Sequence, residues 1–320
     1  MAKPEDVRAL GGTDYPRTYQ EFRAWFAGED ACLEYLAALR WPDGFACPVC
    51  QGTKAWRTAK KTWMCSACGR KTSVTAGTIF HRSHTPLSTW FAAAWFVTAQ
   101  KNGASAQGLQ DMLGFGSYET AWAWLHKMRR AMVRPDRDRL GGVVEVDETF
   151  IGGRTAGKAG GSTDKVPVMI AVERLGPKRF GRVRLGVADT PGSLQLVAFA
   201  REVTEPGSTI RTDGALMFRG LADEGYHHEY VFTGYGAPEP GHASLPGPHR
   251  IASLLKRWNA GTHHLGVSRE HLPYYLDEYT FRFNRRRSSA RGMLFYRLLQ
   301  QAVSTDPHPL KELIGGTTRP

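Results

Sequence analysis

Four of the five cysteines stand in two tight pairs, Cys47 and Cys50 in CPVC and Cys65 and Cys68 in CSAC, with fourteen residues between the pairs. Two residues between thiols let one turn present both sulfurs to a single ion, and two such turns close a tetrahedron around it. The spacing therefore predicts a structural Zn2+ site, with Gly52 and Gly69 giving freedom to the two turns. A redox dithiol would need one pair and a thioredoxin-like setting, which fits this doubled pattern less well. The fifth cysteine, Cys32, falls on the apolar face of a predicted helix and reads as a small buried hydrophobe.

A second set of residues suits different chemistry. Asp147 lies in VVEVDET, where Val144 and Val146 alternate with Glu145 and Asp147, and Asp213 ends another predicted strand in STIRTDGA. Carboxylates fixed at strand ends can hold two divalent cations about 3.5–4 Å apart, the arrangement that serves phosphoryl chemistry. An aspartate at a strand end also serves as a turn former or helix cap, so the pair alone leaves both readings open. His249 follows thirty-five residues after Asp213, and Lys256 comes seven positions later. On a helix that spacing puts both side chains on one face two turns apart, a metal ligand with a backbone-gripping cation beyond it. Glu270, Asp277 and Glu278 are further candidates for the third position, and Glu278 also reads as half of a salt bridge with nearby arginines.

These residues need a scaffold. The chain has 320 residues, enough for about two domains at roughly 150 residues each. Lysine and arginine total 42 against 30 acidic residues, a formal charge of +12 that favours a polyanionic partner. A hydrophobic content of 42% excludes a disordered chain. Trp90 to Val97, the longest strongly apolar run, is far short of the roughly 20 residues of a membrane span. The opening MAKPEDVRAL has no apolar leader, so the expected location is cytoplasmic and nucleoid-associated, with no membrane.

Residues 15–40 carry an amphipathic pattern expected to pack beside the ribbon. Helices are predicted from Pro86, over Ala104–Leu113 and from Ser117, the last of these ending in Arg129 and Arg130; together they fit a helix-turn-helix. Beyond RPDRDRLGG come three strands, a helix, a strand, a helix, a strand and further helices, an α/β domain with a mixed sheet. Helices are expected over His249–Trp258 and from Glu270 to Phe283, and the stretches 152–165 and 233–248 read as mobile loops.

Taken together, LRWPDGFACPVC, CSACGRKTSVTAGTIF, EVDETFIGG, RTDGA, HRIASLLKRWNAGTHHLGVS and YLDEYTFRFNRRR make the chain resemble ISXO-type insertion-sequence transposases, in which a zinc ribbon precedes a DDE domain. The resemblance spans nearly the whole chain and implies a ribonuclease H-like, retroviral-integrase-like core. It divides the chain into an N-terminal helical segment (1–45), a zinc ribbon (46–80), a helical DNA-binding module (81–140), the catalytic domain (141–300) and a C-terminal tail (301–320). It makes Asp147 and Asp213 the first and second catalytic acids, with the third site at His249 followed by Lys256. Glutamate is usual at that third place. A histidine there shifts the expected balance between Mg2+ and Mn2+, because imidazole suits manganese better.

The implied partner is double-stranded DNA, both element ends and target, bound by a homodimer or higher homo-oligomer. Lys60, Lys61, Arg129, Arg130, Lys256, Arg257, Arg285, Arg286 and Arg287 are the expected phosphate contacts. The implied activity is metal-dependent cleavage and strand transfer at terminal inverted repeats. The competing readings are a ribonuclease H-like nuclease without strand transfer and a catalytically silent, transposase-derived DNA-binding protein.

Overall fold

A computed structural model describes residues 9–134, 136–152, 165–189, 193–213, 216–232, 241–263 and 267–315. In chain order its elements are α1 (Tyr19–Trp25), α2 (Glu29–Arg40), β1 (Ala55–Arg57), β2 (Trp63–Cys65), β3 (Lys71–Thr72), α3 (Leu87–Ala99), α4 (Ala106–Leu113) and α5 (Tyr118–Ala131). There follow β4 (Val143–Ile151), β5 (Val166–Gly176), β6 (Arg179–Val187), α6 (Ser193–Val203), β7 (Thr209–Thr212), a 3-10 helix (Leu216–Glu224) and β8 (His227–Tyr230). The chain closes with α7 (Gly241–Ser244), α8 (Pro246–His263), α9 (Leu272–Asn284), α10 (Arg291–Ala302) and α11 (Leu310–Gly315). No helix among the described residues is long and apolar enough to cross a membrane.

The elements gather into two compact units, Met1–Arg134 with Arg287–Thr317, and Pro135–Arg286. This division differs from the sequence boundaries at the C-terminal side, where residues 287–300 had been assigned to the catalytic domain. The reason is a stripe of apolar side chains on α10: Leu294, Phe295, Leu298 and Leu299 are all buried. Phe295 meets Phe22 edge-on at 5.5 Å, and it also touches Phe26, Tyr35, Phe91 and Trp95. That aromatic centre belongs to the first unit, and α10 completes it.

The same centre corrects a second expectation. Residues 15–40 place the rings of Phe22 and Phe26 against α3, and reach the ribbon through ion pairs from Asp30 and Glu34 to Arg57 and from Asp30 to Lys61 and through Arg40, which donates to the carbonyls of Ser73 and Val74. Glu29 does more than start α2. Its carboxylate accepts the N–H groups of Leu87 (2.8 Å) and Ser88 (3.2 Å), filling the open donors at the start of α3. Glu29→Ala is expected to lower the stability of this unit by about 1 kcal/mol, read from urea melts followed by tryptophan fluorescence. A melt superimposable on the parent would show that these bonds carry no net stability.

The helix-turn-helix expectation holds in outline. Ser105 caps α4 by accepting the Gly108 N–H, and Gly114 ends it in the left-handed region at φ 66°. Ser117 occupies the N-cap of α5 but makes no side-chain capping bond. Trp124 of α5 stacks on Trp90 of α3 with ring centres 3.5 Å apart, so these tryptophans form core.

In the second unit the sheet order is β6-β5-β4-β7-β8. The pairs β6/β5 and β5/β4 are antiparallel, whereas β4/β7 and β7/β8 are parallel. This is the mixed α/β, ribonuclease H-like arrangement expected. Both faces are covered. Val144, Val146, Met169 and Ala171 pack with α6 on one face, and Ile151, Val168, Ile170 and Val172 pack with Ile251 and Leu255 of α8 and Leu276 of α9 on the other. Glu145 and Asp147 share the α8 face, because successive strand residues alternate sides.

Helix α8 begins three residues before the expected His249 and ends well past Trp258. Pro246 and Pro248 sit in its first turn, where the missing N–H would have had no helical partner. Of the two expected loops, 153–164 and 233–240 lie outside the described residues, while 241–248 is mainly helical.

Candidate active site

The two cysteine pairs converge. The four sulfurs lie within 4.8 Å of one another, with Cys47 and Cys68 Sγ 3.7 Å apart and Cys50 and Cys65 Sγ 3.5 Å apart. A tetrahedral zinc with Zn–S bonds of about 2.3 Å demands edges of about 3.8 Å, so the donor set fits that ion. The two turns repeat one pattern. Gln51 N–H donates to Cys47 C=O at 3.0 Å and Gly69 N–H to Cys65 C=O at 2.9 Å, with Gln51 and Gly69 both at positive φ. Backbone N–H groups of Cys50 and Val49 lower the Cys47 thiol, and those of Cys68 and Ala67 lower Cys65, whereas the neighbouring cysteine sulfurs push Cys50 up to about 12, a crowding of thiols that a metal ion would relieve.

The acidic constellation is built by strand register. On the parallel pair β4/β7, Val143 faces Thr209, Val144 faces Ile210 and Glu145 faces Arg211. Asp147 follows two residues after Glu145 on β4, and Asp213 two residues after Arg211, one residue past the end of β7. Helix α8 supplies the next wall. His249, Ala252, Ser253 and Lys256 form one helical stripe, and with Asp147, Glu148 and Thr149 they line a hollow of about 510 Å³. His249 and Lys256 thus share a face, as their spacing predicts. Asp277 and Glu278 are buried in α9, with Glu278 paired to Arg282 at 2.8 Å, and neither lines this hollow.

Electrostatics tie the three residues together. Burial pushes the Asp147 carboxyl up to about 6. The Glu148 N–H, donating to Asp147 Oδ1 at 2.8 Å, opposes that rise; the Asp213 charge adds to it and His249 counters it. A carboxyl raised by burial and by a neighbouring negative charge is one that a cation would relieve. Two carboxylates and an imidazole are donor types that suit Mg2+ or Mn2+, although among the described residues only the four cysteine sulfurs close to within 4.8 Å of one another.

The raised carboxyl makes a pH prediction. A group whose folded value lies above its unfolded value stabilises the fold at low pH and loses that contribution as pH rises through about 6. Without divalent metal, the melting temperature should therefore fall more for the parent than for Asp147→Asn between about pH 4 and about pH 7. Parallel falls would contradict the environment described for Asp147.

The basic residues divide. Lys60, Lys256, Arg257 and Arg287 are exposed, and Arg130 is half-buried. Lys61 is exposed but pairs with Asp30 at 2.8 Å. Arg129 does not belong in a DNA-contacting set. It is 2% exposed, because it shares the inward face of α5 with Leu125 and Met128. Arg285 and Arg286 lie over the rings of Phe281 and Phe283, at 4.2 and 3.9 Å. Arg286 also donates to the carbonyls of Phe180, Gly181 and Phe283, fastening the end of α9 to β6.

The sequence reading missed Glu145. It is fully buried, and its Oε1 accepts Arg174 at 2.8 Å and Arg211 at 3.0 Å, while its Oε2 accepts the Gly247 N–H at 2.7 Å. The only signal was its place in the alternation with Asp147, which reads equally as a solvated strand face.

Residues 139–284, the segment that holds this constellation, match the ISXO2-like transposase domain, and residues 27–71 match the transposase zinc-ribbon domain. Both matched segments are transposase domains, and the chain is similar to zinc-ribbon transposases over each. A protein of Halobacterium salinarum described as an uncharacterized protein in transposable element ISH50 is 28% identical to it over 278 residues, covering 80% of this chain and 91% of that protein. The segment matched by the ISXO2-like domain begins just before β4 and ends with α9, in near agreement with the second compact unit. The zinc-ribbon match takes in α2 as well as β1–β3.

Proposed function

We propose that the chain is a DNA transposase that binds the terminal inverted repeats of an insertion sequence and catalyses cleavage and strand transfer. The observation that carries this reading is that Asp147 of β4 and His249 of α8 line one hollow, with the charge of Asp213, one residue past β7, acting on Asp147, inside the matched transposase domain. Asp147 and Asp213 would hold two divalent ions, with His249 assisting. When bound, these ions would supply the Lewis acidity that activates water or a 3′-hydroxyl and stabilises the departing oxygen.

The chain's own residues do the positioning. Lys256, exposed two turns along α8 from His249, would hold a backbone phosphate beside the scissile bond. Lys60, Lys61, Arg130, Arg257 and Arg287 extend the phosphate-contacting set. Arg285 and Arg286 act chiefly within the fold, through their rings and carbonyls. Two element ends must be joined to one target, which calls for a homodimer or higher homo-oligomer on DNA in the nucleoid.

An oligonucleotide carrying the element's end, incubated with target DNA in Mg2+ and then Mn2+, tests the activity. Products joined to target support transposition, whereas cleavage without joining identifies a nuclease. Specific binding with no chemistry in either metal identifies a silent DNA-binding protein.

A further inference from the structure

Glu145 makes bonds to two of the three elements that carry the proposed metal ligands, and it sits on the third. On its own strand β4, Asp147 lies two residues onward on the same face. Its partner Arg211 lies on β7 two residues before Asp213. Its partner Gly247 lies in the first turn of α8 two residues before His249. One buried carboxylate therefore ties β4, β7 and the start of α8 together, at positions two residues before Asp147, Asp213 and His249. Arg174 of β5 closes the network from the other side of β4.

The approach of α8 is close enough to exclude a side chain. A Cβ on Gly247 would stand 2.6 Å from Glu145 Oε2 and 2.6 Å from Val172 Cγ1. Glycine at 247 lets the helix backbone reach the carboxylate directly, and the 2.7 Å bond forms there. A glutamine at 145 could not serve both ends. With its oxygen toward the arginines, its NH2 faces the Gly247 N–H; turned round, its NH2 faces two guanidinium groups.

We propose that Glu145 is a positioning residue for the metal site, setting His249 and Asp213 against Asp147 through Gly247 and Arg211. This rests on the reading of Asp147, Asp213 and His249 as the ion-holding set. Groups that orient metal ligands from behind are worth about 10–100-fold in affinity, and Glu145→Gln should weaken Mn2+ binding by about that factor.

The test is calorimetric titration of zinc-loaded, DNA-free protein with Mn2+ alone, at a temperature where circular dichroism shows each variant folded. Glu145→Gln and, independently, Gly247→Ala should both lose affinity; the second leaves every charge in place and covers the case in which the first does not fold. Glu173→Gln is the control. Glu173 is another buried carboxylate of the same sheet, paired with Arg182 at 2.6 Å but with no bond to α8, and its variant should bind Mn2+ like the parent. Folded Glu145→Gln and Gly247→Ala proteins with parental affinity would overturn the proposal, as would an equal loss in Glu173→Gln. If Asp147→Asn and Asp213→Asn also bind Mn2+ like the parent, the ion-holding reading itself fails. If those two lose binding while Glu145→Gln keeps it, only the positioning role fails.

Discussion

Asp147→Asn and Asp213→Asn should each reduce strand cleavage by on the order of a thousandfold or more while leaving DNA binding intact. A carboxylate ligand underpins several kcal/mol of transition-state charge stabilisation, and each 1.4 kcal/mol is a factor of about ten in rate. Asp213 follows directly on β7, the parallel neighbour of β4, and its charge acts on Asp147, so the two are expected to act as one unit. The double variant should therefore be little worse than either single one, because effects within a catalytic unit do not add. Cleavage would be followed on a labelled end-bearing oligonucleotide, with binding measured separately by mobility shift. A carboxylate-independent rate would remove both residues from the chemistry. His249→Glu offers a complementary outcome: replacing imidazole by a hard oxygen ligand should raise activity in Mg2+ relative to Mn2+. An unchanged ratio would place His249 outside the ligand set.

The second large effect concerns the ribbon. Its three strands have only three, three and two residues, too little sheet and core to fold unaided. A structural zinc supplies about 10–16 kcal/mol of apparent binding energy to such a module at neutral pH, so removing it should unfold residues 46–72. Cys65→Ser protein should carry less than one zinc per chain by elemental analysis and should be cut by protease within that segment, whereas the parent resists. The second compact unit has its own core on both sheet faces and should keep its melting transition. A protease-resistant, zinc-free ribbon would show that the four sulfurs are held together without metal.

How much of this was legible in the sequence varies with the physical signal. The zinc site was fully legible because its ligands are local pairs, and a two-residue spacing encodes the turn. Asp213 was legible as a strand-end acid, whereas Asp147 stands in the middle of β4, and the approach of β4 to β7 is a matter of register between strands more than sixty residues apart, which no local pattern records. His249 and Lys256 could be placed on one face from helical spacing alone. The start of α8 could not, since PGP reads as a chain breaker unless one knows that the prolines occupy a first turn.

Two misreadings share one cause. Arg129, at the end of a predicted helix, reads as a phosphate contact, yet α5 turns that face inward. Glu145 looked like the polar side of an alternating strand, but helices cover both faces of this sheet, so a charged residue in the alternation had to become a paired, buried one. Local charge and periodicity carry no information about which faces a later helix will cover. The same holds for α10, whose apolar stripe completes a centre formed by residues 22–95.

The central claim is that Asp147, Asp213 and His249 hold divalent metal at one point. Replacing that metal by Fe2+ in zinc-loaded protein and adding ascorbate and peroxide generates short-lived radicals that cut the backbone beside the ion. Cuts clustered around residues 147, 213 and 249, suppressed by excess Mn2+ and absent from Asp147→Asn, are the predicted result. Cleavage confined to other segments, or unchanged by Asp147→Asn, would contradict the account.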